Sequence, residues 1–147
     1  SPFSGHLSDR YDPGLIATIG LTILTGGLFM FTTIGPGTST LFIGLVLGVF
    51  GLGYAFFSSP NTNAIMSAVE KKYYGLASGT VGTMRLIGQL VSMGIVMLIF
   101  SLMIGQVEIQ KENYSEFLSS ARLSFIIFGG FGVLGIILSA SRIKKRK

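Results

Sequence analysis

The chain has 147 residues; 49% are hydrophobic, only 12% are charged, and the mean hydropathy is +0.68. Soluble domains carry about a quarter charged residues, so this balance argues against a soluble domain and for a protein of the lipid bilayer. The chain has no cysteine, which leaves no disulfide or thiolate metal site, and one histidine, His6, builds no metal cluster. The net charge of +5 does not point to nucleic acid, because the basic residues sit at the ends of apolar runs and are not interleaved with aromatics.

The chain opens SPFSG, without an initiator Met. No charged segment with a cleavage site precedes an apolar run, so no signal peptide is expected, and the sequence reads as a piece of a longer protein that lacks its N-terminal part. A polar stretch, GHLSDRYDPG at 5–14, leads to the first predicted helix, over 15–34, which carries no charge and is followed by the turn-forming GPGTST. The second is expected over 41–58. The third is expected over 76–105, with no charge between Leu86 and Gly105, and the fourth over 121–141, ahead of a basic tail at 142–147. A hydrocarbon core of about 30 Å needs about 20 helical residues at about 1.5 Å each, so the four runs predict four transmembrane helices in an all-α integral membrane fold.

Charge orients them. Arg10, Lys71, Lys72 and the basic tail fall on one side; Lys111 and Arg122 fall on the other, beside Glu108, Glu112 and Glu116. The positive-inside rule makes the first side cytoplasmic, so both ends are expected in the cytoplasm of a cell-membrane protein. The outer loop QVEIQKENYSEFLSS is expected to hold no more than a short amphipathic turn, and its Asn113-Tyr114-Ser115 reads as a chance sequon.

Small residues recur along the helices. Gly44 and Gly48 are four apart, as are Gly75 and Gly79, and Gly82 follows. In lipid such residues let backbones approach closely, so these five are expected to pack helices; sliding surfaces in a moving protein are the other reading. Near the end of the second run, Ser59 is expected to cap and Pro60 to restart a helix after a break. That places Asn61 and Asn63 near the inner mouth, either as interfacial polar groups or as hydrogen-bonding groups on a translocation path. Lys71, Lys72, Tyr73 and Tyr74 read as an interfacial cluster.

Arg85 is the charge that needs an explanation. The apolar run after it is long enough to span, so Arg85 belongs at the inner edge and reaches water by snorkelling. Ser78, Gly82, Arg85, Gln89 and Ser92 recur at steps of three and four and share one helix face. A plain anchor needs no polar stripe, whereas a face turned to protein or to a wet cavity does. Asn61, Asn63, Arg85 and Gln89 are therefore the candidates for the inner mouth of a path.

Gly5, Leu7, Asp9 and Arg10 resemble the cytoplasmic loop signature of the major facilitator superfamily, although Asp12, Pro13 and Gly14 stand where the family often has further basic residues. The stretch from Gly51 to Leu90 looks like the corresponding region of drug:proton antiporters of the fourteen-helix type. It carries Gly51-x-Gly53 before an aromatic, Ser59-Pro60-Asn61, Gly75-x-Ala77-Ser78-Gly79, and Arg85 ahead of Gly88 and Gln89.

The resemblance implies the last four helices of a C-terminal six-helix bundle, with the N-terminal half of the same transporter as partner. It also implies proton-coupled export of small, often hydrophobic or cationic molecules by alternating access, no cofactor, and a gating latch at Asp9 and Arg10. The start of the third helix, at Gly75 and Gly79, would face an acidic group of the absent half. No acidic residue falls within the four runs, so a carboxylate proton carrier would lie outside this chain. The alternative is a small four-helix membrane protein, either a dimeric exporter, which usually needs an embedded carboxylate, or a non-transporting subunit. An enzyme is not expected, since no catalytic constellation is present.

Overall fold

A computed structural model describes residues 12–105 and 114–144, with backbone alone for 142–144. The described residues form four long helices: α1 (Pro13–Phe31), α2 (Thr40–Ser67), α3 (Tyr74–Met103) and α4 (Tyr114–Lys144). A single 3₁₀ turn, Lys71–Tyr73, precedes α3, and no strand is present among them. All four contain segments long and apolar enough to cross a membrane.

Local chemistry sets the helix ends. Asp12 caps α1 by accepting a 2.8 Å hydrogen bond from the Gly14 N–H, and Pro13 occupies the first turn. The helix therefore starts at Pro13 rather than at 15, since proline's missing N–H would be unsatisfied there in any case. It ends at Phe31 rather than 34, where the Thr32 and Thr33 hydroxyls donate back to the Phe29 and Met30 carbonyls. Ser39 then caps α2 through the Leu41 N–H. At the far end of α3, Gly105 takes φ +75° and its N–H bonds the Ser101 carbonyl, a left-handed stop that suits a residue without Cβ.

Two expectations are corrected. The helix does not break at Pro60: α2 runs unbroken to Ser67, nine residues past the expected end at 58. Proline removes the partner of the carbonyl four residues back, here Phe56. That carbonyl lies against α1, where a Cβ on Gly20 would stand 2.8 Å from its oxygen. Pro60 itself is buried, and neighbouring helices commonly accommodate such a site in membranes. The fourth helix begins at Tyr114, not 121. Phe117 packs edge-on against Phe100 of α3 with ring centroids 5.5 Å apart. The Ser120 hydroxyl donates to the Glu116 carbonyl, so these polar residues fit a helix.

The core forms where α1 lies between α2 and α4. Ile16 and Ala17 are buried, as are Gly20, Thr25 and Gly27. Toward α2, a Cβ at Gly53 would come within 2.6 Å of the Leu24 nitrogen, so the two backbones touch. Gly27 sits over Phe50 on the same face. Toward α4, Gly132 lies over Thr25 and Gly129 over Phe29, while Thr18 and Ser139 share a 2.7 Å hydroxyl hydrogen bond. Both contacts run antiparallel, since partner numbers fall as α1 numbers rise. The Phe31 ring joins all three helices, stacked on Phe125 at 5.0 Å and edge-on to Phe50 at 6.4 Å.

The expectation for helix packing is corrected within this chain. A Cβ at Gly44, Gly48, Gly75, Gly79 or Gly82 would meet nothing within 4 Å. Close packing falls instead to Gly20, Gly53, Gly129 and Gly132. Spacing of four shows which glycines share a face, not whether a neighbour lies on it.

Candidate functional site

α3 stands apart from the packed group. Ile99, near its C-terminal end, is its one buried residue among those described. Residues of α2 and α3 line a cleft between the two helices.

Three contiguous parts of this cleft, about 330, 630 and 500 Å³ in volume, all reach Arg85. Asn61 lines the first and third, Gln89 the first, and Asn63 the widest. Each of the other three inner-mouth candidates therefore lines a part of the cleft that Arg85 also lines, Asn61 and Gln89 together and Asn63 apart from them. The polar stripe of α3 turns into it along its length: Ser78 and Gly82 line the wide part, Gln89 and Ser92 the narrow part, and Arg85 both. From Arg85 to Met103 the helix rises about 27 Å, which sets Arg85 near one edge of a core about 30 Å thick.

The facing wall comes from α2, where Tyr54, Ser58 and Asn61 recur at the same steps of four and three. The signal for Tyr54 and Ser58 lay in that spacing relative to Asn61, but an apolar run hides a polar stripe made of one tyrosine and one serine. Some polar groups are already engaged. The Thr62 hydroxyl donates to the Ser58 carbonyl and the Ser92 hydroxyl to the Gln89 carbonyl, both at 2.9 Å. The Asn61 and Gln89 amides and the Tyr54 hydroxyl stand on the cleft walls. Among the described residues Arg85 has no ion pair. The one ion pair among them, Lys72 with Glu70 at 2.8 Å, is exposed at 62% and 71% and contributes little to stability. Lys72 also lies over the Tyr73 ring, 4.9 Å from its centroid, within the interfacial cluster.

Gly5, Leu7, Asp9 and Arg10 lie outside the described residues, as do His6, Asn113 and the end of the basic tail. Among the described residues no group of three or more His, Cys, Asp or Glu could hold a metal ion.

Comparison with known proteins adds the context. Residues 1–93 match the sequence profile described as Major Facilitator Superfamily. The chain is 34% identical over 89 residues to the uncharacterized transporter YebQ of Escherichia coli (strain K12), covering 60% of this chain and 20% of that protein. It is 23% identical over 145 residues to the riboflavin transporter RibZ of Clostridioides difficile (strain 630), covering 99% of this chain and 32% of that one. It is 33% identical over 95 residues to the multidrug resistance protein Stp of Mycobacterium tuberculosis (strain ATCC 25618 / H37Rv), covering 65% and 18%. The chain therefore spans between 18% and 32% of the length of these relatives. No solved structure matches it at a significant level. With more than half of its residues matched to the family profile and four long apolar helices in an antiparallel arrangement, the chain belongs to the Major Facilitator Superfamily.

Proposed function

We propose that this chain forms the last four helices of a proton-coupled exporter of small molecules, of the fourteen-helix drug:proton antiporter type. It acts as a carrier in the cell membrane, with both ends of the segment cytoplasmic, and works by alternating access against the N-terminal half of the same protein. The relatives named as a multidrug resistance protein and a riboflavin transporter support small organic molecules as cargo. The latch at Asp9 and Arg10, and the open glycines at the start of α3, belong to this reading as contacts made with the absent half.

One observation carries the proposal: the polar stripes of α2 and α3 face one another across a cleft that converges on Arg85. A stripe of serine, asparagine, glutamine and arginine on two facing helices suits a water-filled path better than a lipid-facing surface, where such polar groups are costly.

The test is cysteine accessibility in the full-length transporter. Asn61, Arg85 and Gln89 are replaced singly by cysteine and exposed to a membrane-impermeant thiol reagent from the cytoplasmic side, with Leu90, an apolar residue of α3 that does not line the cleft, as the control. We expect all three to react, with reactivity falling when the transporter is driven outward-facing, while Leu90→Cys stays unreactive. Reaction of Arg85→Cys only with lipid-phase reagents would overturn the path.

A further inference from the structure

We infer that the α2–α3 cleft is an anion-selecting subsite whose solute is a flat organic anion, not the cation that the family resemblance implies. This rests on the cleft being part of the solute path.

Arg85 lines each part of the cleft, and no Asp or Glu does. The acidic residues among those described are Asp12, Glu70 and Glu116, and each stands at a helix end. Asp12 caps α1 and Glu116 lies in the first turn of α4. Glu70 is held by Lys72 in the connection before α3. Arg85 lies about 16 Å along α3 from Tyr74, beyond the reach of that pair. The guanidinium thus offers its donors to the cleft with no carboxylate of the described chain to neutralise it.

Arg85 is exposed to the cleft, and a cleft that carries charge of one sign raises the local concentration of the opposite sign, so it favours an anionic guest over a cation. A planar fork of donors matches a carboxylate bidentately. The flanking groups define the rest of the guest. Tyr54 and Phe57 supply rings for a flat apolar body, and Asn61 and Gln89 supply amides for further polar groups. The volumes fall within the range of pockets that hold drug-sized molecules.

Three probes of one shape separate charge from shape: 2-naphthoate, 2-naphthamide and 2-naphthylmethylammonium. Each is titrated as a competitor of thiol labelling at Asn61→Cys in the full-length transporter in proteoliposomes. We expect naphthoate to protect at concentrations at least tenfold lower than the ammonium probe. Combining Asn61→Cys with Arg85→Gln should bring naphthoate level with the amide, and with Arg85→Lys should retain a weaker preference for the anion. Preference for the ammonium probe in the transporter with Arg85 intact overturns the inference without requiring a second variant. A naphthoate preference that survives Arg85→Gln also overturns it, as does an Arg85 already paired with a carboxylate from another segment, which would leave the three probes equal. Protection by the amide or ammonium probe but not by naphthoate leaves the path standing and removes its anion selectivity. Protection by none of the three removes the path itself.

Discussion

At Gly53 a hydrogen atom decides whether two helices meet. An added Cβ would stand 2.6 Å from the Leu24 nitrogen, and the obstacle is backbone, which cannot swing aside. Gly53→Ala must push α1 and α2 apart, and overpacking of this kind costs typically about 1–3 kcal/mol. The hydroxyl hydrogen bond between Thr18 and Ser139 works differently. Such bonds between membrane helices average about 0.6 kcal/mol, because the separated helices find other partners. Packing should therefore outweigh hydrogen bonding here: Gly53→Ala should lower resistance to denaturation by SDS in mixed micelles clearly more than Thr18→Val. Gly26→Ala, with nothing within 4 Å of its Cβ, should be silent. Equal losses for Gly53→Ala and Gly26→Ala would show that the backbones do not touch there. The glycines were visible in the sequence, but which of them faced a neighbour was not. Gly44 and Gly48 have the expected spacing and stand in open space, while Gly53 is buried against α1.

Among the elements, α2 shows how far helix reading carried and where it stopped. Its apolar character and a start near Leu41 followed from composition and the turn-forming GPGTST before it, while the Ser39 cap is seen in the structure. Its passage through Pro60 did not, because that depends on the neighbour packed at the site, and here Pro60 is buried and the Phe56 backbone lies against Gly20 of α1. α2 also carries two different faces. Gly53 and Pro60 are buried against the rest of the chain, whereas Gly44, Gly48, Leu45 and Leu52 are exposed. Replacing Gly44 and Gly48 together by leucine should leave the α1–α2 contact intact, since no atom lies within 4 Å of either Cβ position. On the proposal above the same change should impair transport several-fold in the full-length transporter, because that face would meet a helix of its N-terminal half. Transport unchanged from the parent would assign that face to lipid.

At the scale of the whole molecule, α1, α2 and α4 form a packed group, and α3, with Ile99 its one buried residue among those described, borders the cleft that Arg85 lines. The cytoplasmic signature at Asp9 and Arg10 completes this arrangement as a latch, on the proposal above. Asp9→Asn in the full-length transporter should then shift the balance of inward and outward states and lower transport about tenfold, read by state-dependent labelling at Asn61→Cys alongside flux. Normal transport with an unshifted balance would remove the latch. Hydropathy along the chain was enough to read the membrane class, four spans and their ends to within a few residues in most cases, because lipid obliges each backbone group to bond within its own helix and hydropathy records that local demand. The polar stripe of α3 was legible too, since helical periodicity places residues on a face. What that face looks at follows from the packing of the helices: Tyr54, Ser58 and Asn61 of α2 across an open cleft. That packing also decided which glycines touch and why Pro60 does not end its helix. Those answers depend on the neighbour as much as on the residue, and contact between segments far apart in the chain leaves no periodic trace in either one.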